Sequence, residues 1–598
     1  MWRWEAIAVI VLLLGKTMQA QEYDSFDAIA DFIGNVSVED ADPDEVERLS
    51  RYIQRPLRIN MLSLARIRES GLLTQYQTAA LIDYRTRHGD ILSLTELAAV
   101  DGFGNEFVER LSPFISLEST RPAGQGGAGY KKLYQKLELK GGVRYNEKWK
   151  NQYALKYRIQ AGESLQAGIA FSKSADASRP DAFAGNIFWY FRRYSAKLAL
   201  GDFNARFGQG LALWSGMSIS GLSKPSSYLK RSSNLSASHS YTGNYSYKGI
   251  AAEAYFSRLK VTVLTAFSGS LKDIGLLPAA NLSWLYSNGQ IGLTHYIELG
   301  HTLEGTAIPD MKTSCDLAFT IQGVDLFMET AYDWASRCTA SLAGVVFPAG
   351  ENLRMASMFR YYPSDYKATH SAASRALTEC SNEYGASLSG EFEAGCRINI
   401  NGASGFGSSV RRLEGSVCLD AAYFPVSKSD DATKSVQVKS LAEMKLRLSG
   451  SFALKIRLSE RFRTWGAPLR SDFRMDALYY SRYFDAVLRT NVVNCAQTSF
   501  LTYAEGTCKA QALKLSLRFG IFRADKWDDR IYAYERDVPG SFNVPAFYGR
   551  GYWVSLTGTW RAVRWGTMHL RASLTEYPFM EKKKPGKAEL KLMLEFRI

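Results

Sequence analysis

The sequence predicts a small α-helical domain followed by a large antiparallel transmembrane β-barrel of roughly 20–24 strands. Three observations support this fold class. Apolar residues recur every three or four positions between residues 26 and 113, which is the period of amphipathic helices. Over roughly the last 470 residues they alternate with period two, which is the period of strands. No apolar run reaches the roughly 18 residues that a membrane helix needs.

Residues 1–20 are predicted to be a signal peptide. Their apolar segment, 6–15, is too short to cross a bilayer, which takes about 20 residues. Arg3 precedes it, and Ala20 occupies the position before the expected cleavage site. Export combined with period-two strands favours the outer membrane of a Gram-negative bacterium, with the helical domain on the periplasmic side.

Charge divides the chain into the same two parts. The whole sequence has a formal net charge of +14, yet residues 21–118 hold 9 Lys and Arg against 18 Asp and Glu. The remainder is therefore strongly basic. The densest acidic stretch, 39–45, is either a solvated helix start or a region attracted to the basic part of the same chain.

The helical domain is predicted to span 21–118 and contains one informative turn. Leu49, Ile53 and Leu57 show helical spacing, and the sequence Gly102-Phe103-Gly104 lies between two further helical segments. Glycines there tolerate unusual backbone angles, and the amides that begin the second helix can hold a phosphate. Gly102, Phe103 and Gly104 are thus candidate phosphate ligands.

Residues 57–115 resemble the tandem helix-hairpin-helix module of bacterial DNA-uptake (competence) proteins. The matching features are 57–60, 81–85, 89–97 and the Gly102 to Gly104 turn. Where the family's first hairpin has Gly-apolar-Gly, this chain has 70–74, and Thr74 is better interpreted as an N-cap. The resemblance implies DNA binding through the hairpin amides and nearby arginines, for which the candidates are Arg58, Arg66, Arg68, Arg85 and Arg87.

The charge of the module argues against DNA as its partner. Residues 51–118 contain 8 Arg, 8 acidic residues and no Lys, whereas duplex binding gains most of its affinity from a net basic face. A hairpin pair that packs helices or contacts a protein is the favoured alternative. Clustering of the five candidate arginines on one face would count in favour of DNA binding.

A Gly-rich linker, 119–130, precedes the predicted barrel, 131–598. Beyond it, apolar and charged residues alternate in segments such as 137–145, 153–160, 454–458, 513–519 and 588–597. In lipid every backbone group must be paired, so such a sheet has to close. Phe596 is near the position of the terminal aromatic residue that the barrel-assembly machinery recognises in Gram-negative barrels.

Two further segments, 201–211 and 536–551, resemble outer-membrane proteins that fuse a helix-hairpin-helix domain to a large barrel. The resemblance then extends over nearly the whole chain and implies outer-membrane lipid as the surroundings of the barrel. It leaves the transported molecule undefined. The charged positions of the strands are expected to face a water-filled lumen, and the selected examples are Lys140, Arg144, Arg158, Arg447 and Arg457.

Patterns for cofactor or metal chemistry are absent from the sequence. The six histidines are dispersed, the seven cysteines have irregular spacing without a C-x-x-C pair, and no phosphate loop, nucleophile elbow or H-E-x-x-H occurs. We therefore expect no cofactor, no metal and no enzymatic activity. Asp202 and Ser215 could be nominated for rim catalysis, but nothing in the sequence selects them over ordinary loop residues. The Asp202 and Arg206 pair is expected to close a turn, with a lumen-facing position as the alternative. Two or three disulfides in exposed loops are compatible with the sequence, which does not define their pairing.

Three function hypotheses follow. In the first, the helical domain of an outer-membrane barrel gates transport or docks a periplasmic protein partner. In the second, the hairpin module binds DNA and delivers it to or from the pore. In the third, the barrel is an enzyme, although no sequence motif supports this hypothesis.

Overall fold

The computed structural model describes residues 28–29, 32–33, 43–118 and 133–597, except 163, 217–221, 239–245, 271–272, 303–308, 368, 396–397, 401–407, 411, 429–433, 449–450, 468 and 581–583. The predicted signal peptide, the predicted linker and residues 39–42 of the acidic stretch 39–45 lie outside these residues. Among the described residues, no helix has the length and apolar character needed to span a membrane.

The helical domain contains α1 (Pro43–Gln54), α2 (Leu64–Ser70), α3 (Gln75–His88), α4 (Leu94–Ala98) and α5 (Gly104–Leu111). Its core is built from apolar side chains of every helix, with Leu49, Leu81, Leu97 and Phe114 fully buried. The predicted helical spacing continued to Leu57, but α1 ends at Gln54, because Pro56 cannot continue a helix. Residues Leu57–Arg58 instead pair in parallel with Ile115–Ser116.

Two hairpins organise these helices. Between α2 and α3 the Thr74 side chain accepts a hydrogen bond from the Gln77 amide at 3.2 Å, and the Gln77 side chain caps the Thr74 amide in return. The interpretation of Thr74 as an N-cap is therefore confirmed. The second hairpin joins α4 to α5 through Gly102 and Gly104, both with φ in the left-handed region, at +78° and +67°.

A closed antiparallel barrel of 24 strands follows. The strands are β1 (Leu133–Asn146), β2 (Lys148–Ala161), β3 (Leu165–Lys173), β4 (Ala182–Phe191), β5 (Ala196–Arg206), β6 (Tyr247–Phe256), β7 (Leu259–Ser270), β8 (Asp273–Leu285), β9 (Gly289–Thr302), β10 (Pro309–Ile321), β11 (Val324–Asp333), β12 (Cys338–Pro348), β13 (Leu353–Tyr362), β14 (Glu383–Ala394), β15 (Arg412–Phe424), β16 (Ser435–Arg447), β17 (Phe452–Arg463), β18 (Leu469–Tyr480), β19 (Phe484–Asn494), β20 (Thr498–Lys509), β21 (Leu513–Ala524), β22 (Gly549–Val563), β23 (Gly566–Glu576) and β24 (Lys587–Arg597).

The barrel closes where β1 pairs with β24, with Leu139 opposite Leu594. Short ladders lie beside the wall: Asn234–Ala237 pairs antiparallel with the end of β5, Ile531–Tyr532 pairs with Ala546–Phe547, and Ile398–Ile400 pairs with Ser408–Val410. The predicted fold class, a helical domain followed by a closed transmembrane-type barrel, is confirmed, at the upper end of the predicted strand number.

Burial along the strands is the reverse of that in a water-soluble protein. Lys312 and Glu383 on the inner face are fully buried, whereas Phe359 and Phe183 on the outer face are 65% and 57% exposed. A soluble sheet protein would bury the aromatic residues and expose the charges. The outer surface therefore suits acyl chains, and the inner surface is polar.

The two ends of the barrel differ in their connections. We call the end where β1 begins and β24 finishes the terminal end, and the opposite one the loop end. At the terminal end the connections are two to four residues long, apart from 395–411. The three longest connections, 207–246, 363–382 and 525–548, all belong to the loop end.

Candidate functional site

The helical domain lies against the inner wall of the barrel near its terminal end. Lys156 on β2 donates to the Glu47 carboxylate at 2.5 Å, and the Tyr190 hydroxyl on β4 donates to the Glu69 carboxylate at 2.8 Å. Both wall residues are buried. Further contacts join Gln54 to Lys136, Arg55 to Gln160, Gln75 to Tyr286 and Glu109 to Arg412.

Two of the predicted phosphate-binding arginines face this wall. The Arg66 guanidinium lies 4.5 Å above the Tyr190 ring and 3.6 Å from the Glu69 carboxylate. The Arg68 guanidinium lies 5.7 Å from the centre of the Tyr255 ring. In this arrangement Arg66 and Arg68 bind the helical domain to the barrel.

The other three predicted arginines lie elsewhere. Arg85 donates to the carbonyl groups of Asn60 and Leu62, at 2.6 and 3.0 Å, and so holds the helical domain together. Arg58 pairs with Glu118, and Arg87 pairs with Asp83 on its own helix. The five arginines thus have separate partners, and DNA binding by this module stays a prediction.

The Gly102 to Gly104 turn faces the interior of the barrel. The Gly102 carbonyl accepts a hydrogen bond from the Gln77 side chain at 2.8 Å, and Phe103 is buried in the helical core. A side chain placed on Gly104 would meet no atom within 4 Å. The open space in front of Gly104 belongs to a cavity of about 680 Å³.

This cavity, which we call the plug cavity, lies between three parts of the protein. The helical domain contributes Gly102–Phe107, Glu109 and Arg110, the long connection after β5 contributes Lys224–Ser226, Leu229 and Arg231, and the wall contributes residues of β11 to β17. Its lining contains both signs of charge. Arg447, one of the predicted lumen residues, lies here and pairs with Glu414 at 3.1 Å.

The remaining predicted lumen residues also contact inner-face groups. Lys140 donates to Ser541 at 2.8 Å, and Arg158 donates to Glu138 at 2.5 Å. Arg144 pairs with Glu589, and Arg457 lies opposite Glu443 in the β16–β17 register.

The connection after β5 folds into the barrel and is held there by one carboxylate. The Glu329 side chain on β11 accepts hydrogen bonds from the backbone amides of Gln209, Leu211 and Ala212, at 2.7, 3.0 and 3.2 Å. Gly208 and Gly210, with φ of +56° and +85°, allow the chain to curl around it. This stretch coincides with one of the two segments that resemble outer-membrane proteins.

The connection after β13 packs on the same segment. The Ala372 amide donates to the Gly210 carbonyl at 2.9 Å, and the Trp214 amide donates to the His370 carbonyl at 2.9 Å. The Tyr366 hydroxyl donates to the Leu211 carbonyl. The two connections therefore form one inward-folded layer on the β9–β14 wall.

The connection after β21 forms a second inward layer on the opposite side. Asp537 accepts a hydrogen bond from Lys591 at 2.6 Å, and Glu535 accepts one from Arg571 at 2.6 Å. Phe542 of this connection packs against the core of the helical domain. Sequence reasoning missed Glu329, Glu535 and Asp537; inward strand parity could have indicated Glu329, but nothing in the sequence pairs it with residues 209–212.

The side chains nominated for catalysis, and those able to bind a metal or form a disulfide, have structural surroundings. Asp202 accepts a hydrogen bond from the Gly185 amide, and Ser215 bonds to the Ala205 backbone, so both join neighbouring chain segments. Within the described residues no group of three His, Cys, Asp or Glu side chains is placed to hold a metal. The six described cysteines are unpaired, and Cys396 lies outside the described residues.

Neither a family model nor a curated protein sequence matches the chain. Among solved structures, the chain is similar to the P pilus usher PapC translocation pore, with 10% identity, a TM-score of 0.37, and coverage of 78% of this chain and 99% of that one. It is also similar to the siderophore receptor PirA from Pseudomonas aeruginosa, at 8% identity, a TM-score of 0.37 and coverage of 80% and 81%. The ferric-catecholate import receptor Fiu from E. coli K12 is similar at 10% identity and a TM-score of 0.34, with coverage of 80% of this chain and 82% of that one. Likeness this distant carries no functional conclusion.

Proposed function

We propose that this protein is an outer-membrane barrel whose helical domain plugs the periplasmic mouth and gates transport of a solute through the lumen. The observation that carries the proposal is the set of contacts between the helical domain and the inner wall. Lys156, Tyr190 and Arg412 come from three separated strands, and each contacts an acidic side chain of the helical domain. The acidic domain is therefore complementary to the basic barrel that surrounds it.

The outer surface supports a membrane location. Large apolar side chains on the outer face are exposed on strand after strand, for example Trp189, Val263, Leu388, Leu488 and Phe519. Contiguous apolar surface of this extent is costly in water but matches the hydrocarbon region of a bilayer.

The difference between the two ends supports the orientation. Outer-membrane barrels have short periplasmic turns and longer extracellular loops. The terminal end has the short turns, so we assign it to the periplasm together with the helical domain that lies in it. Epitope insertions test this assignment: a tag in 174–181 should bind antibody on intact cells, and a tag in 481–483 should bind only after permeabilisation. The reverse pattern would refute the orientation.

The helical domain has the properties of a movable plug. Its buried core is formed by described apolar side chains such as Leu49, Leu81 and Phe114, and among the described residues Phe542 is the apolar barrel side chain packed against that core. The other wall contacts described above are hydrogen bonds, ion pairs and cation–π contacts, which water can replace when the domain moves. Withdrawal of the domain would therefore leave its core intact.

Charge reversal at a plug contact tests the gate. Glu109→Arg opposes Arg412, so planar-bilayer recordings should show more frequent or larger openings, and Arg412→Glu in the same chain should restore the closed state. Asp83→Arg is the matched control, because Asp83 is exposed and, among the residues that the structure describes, its ion pair is with Arg87 on its own helix. Deletion of 21–118 should give the fully open conductance. Equal conductance of the full-length and deleted proteins would exclude a gating role.

A second candidate function is docking of a periplasmic protein partner on the helical domain. Leu92 and Leu94 are 76% and 43% exposed on this otherwise acidic domain. Exposed apolar side chains on a polar surface are typical anchor points for a partner. If docking occurs there, Leu92→Glu with Leu94→Glu should abolish pull-down by the full-length protein and leave the conductance unchanged.

A further inference from the structure

Most charged side chains that line the plug cavity form ion pairs with other described residues, but two of its arginines do not. On one side Lys224 and Lys455 share the Glu443 carboxylate, at 3.3 and 3.0 Å. On another, Arg412 lies 3.2 Å from the Glu414 carboxylate. Arg110 is paired as well, with Glu106 at 3.0 Å. Among the described residues, Arg231 and Arg354 line the cavity without a hydrogen bond or an ion pair of their own.

Arg231 is held by aromatic rings. Its guanidinium carbon lies 4.6 Å from the centre of the Phe32 ring and 5.4 Å from that of Phe107, both in the helical domain. Stacking on rings uses the face of a guanidinium and leaves its in-plane N–H donors for other partners. Burial, reinforced by neighbouring Arg110 and Arg354, lowers the pKa of Arg231 to about 10, so the side chain stays charged at neutral pH.

Arg354 enters the same cavity from the wall. It lies on β13 directly opposite Glu391 on β14, but the charged groups do not come within ion-pairing distance. One carboxylate oxygen of Glu391 is buried without a hydrogen-bond partner among the described residues. The cavity therefore combines unused cationic donors with an unused anionic acceptor.

Arginine donors that no protein group uses are available to a ligand, and a carboxylate or phosphate matches their geometry. A volume of about 680 Å³ is within the range of small-molecule sites. We propose that the plug cavity binds a small anionic solute through Arg231 and Arg354, with Glu391 accepting a hydrogen bond from a hydroxyl or ammonium group of the same molecule. The anionic group is a phosphate or a carboxylate.

This inference rests on the proposed function in one respect: the helical domain must be seated, because Phe32 and Phe107 position Arg231. It does not require the plug to move. A sealed barrel that binds the solute and never conducts would retain the site and refute the gate.

Calorimetric titration of the full-length protein in detergent tests the site, with glucose 6-phosphate, gluconate and glucose as probes. We expect binding of at least one of the two anions and none of glucose, and the stronger of the two identifies the anionic group. Arg231→Gln with Arg354→Gln should weaken binding at least tenfold. The control is Arg482→Gln, which removes an exposed arginine of the β18–β19 turn outside the cavity and should leave binding unchanged.

Three results would overturn the proposal: no binding of either anion, equal binding of glucose, or unchanged affinity in the double variant. Arg231→Lys guards against a folding artefact, because it keeps the charge but loses the planar donors; its affinity should fall between those of the native protein and the double variant. Phe107→Ala should also weaken binding if the helical domain completes the site. Retention of the closed-barrel band on unheated gels shows that each variant is folded.

Discussion

The carboxylate of Glu329 is predicted to hold the inward connection after β5 in place. It accepts hydrogen bonds from three backbone amides, those of Gln209, Leu211 and Ala212. Glu329→Gln keeps the shape of the side chain but replaces one acceptor oxygen by a donor NH₂ group. At least one buried amide then loses its partner.

The magnitude follows from the hydrogen bonds that change. A buried donor left unsatisfied costs about 1–3 kcal/mol, and bonds to a neutral acceptor are weaker than bonds to a charged one by about 1 kcal/mol. We therefore expect local opening of residues 209–212 to become easier by about 3 kcal/mol. Since about 1.4 kcal/mol corresponds to a factor of ten, amide hydrogen exchange there should accelerate roughly a hundredfold.

Hydrogen exchange read by mass spectrometry on the protein in detergent measures this effect. Peptides covering 207–215 should exchange faster, while peptides from β17 to β20 should be unchanged. Glu379→Gln is the control, because Glu379 is exposed on the neighbouring connection. Exchange at native rates in Glu329→Gln would refute the role of this carboxylate as the anchor of the connection.

Three further changes test the wall, the outer face and the helical domain. In the native protein the Arg360 guanidinium lies 2.8 and 2.7 Å from the buried carboxylates of Glu383 and Asp420. Arg360→Met leaves both carboxylates unpaired and should destabilise the barrel by about 3–5 kcal/mol, measured as a lower urea midpoint of unfolding. Leu488→Arg places a charge on the outer face near the middle of β19 and should cost about 2–4 kcal/mol, seen as reduced assembly into vesicles. Thr74→Ala removes the N-cap of α3 and should cost about 1 kcal/mol, seen as faster proteolysis of the helical domain.

Each of these changes has a matched control. Arg482→Met removes an arginine from an exposed turn, Phe579→Arg adds a charge to an exposed connection at the loop end, and Thr95→Ala alters an exposed threonine of α4. All three controls should behave like the native protein. A control as damaging as its partner would show that burial, lipid contact or capping is not the cause.

Local patterns carried most of the fold. Alternation at period two needs only neighbouring residues, so the segments 137–145 and 454–458 were correctly predicted as strands with one polar and one apolar face. The cap at Thr74 was equally local, because its partner Gln77 is three residues away. Pro56 was a local signal too, but the helical spacing was extended past it to Leu57, and the end of α1 was therefore predicted too late.

The lumen could not be predicted in the same way. Glu329 and the amides that it binds are more than 100 residues apart, and a basic strand residue such as Lys156 has the same sequence pattern whether it faces water or Glu47. The sequence presented Arg66 and Arg68 as phosphate ligands. Their contacts with Tyr190 and Tyr255 could not be predicted, because these contacts form only when the helical domain docks in the barrel. Such pairings arise only when the barrel has closed around the helical domain.

A density map of the full-length protein in lipid nanodiscs tests the central claim most directly. The account predicts a closed barrel with α1 to α5 inside its terminal end and the Lys156 to Glu47 contact resolved. A barrel with an empty mouth and the helical domain outside the wall would contradict it.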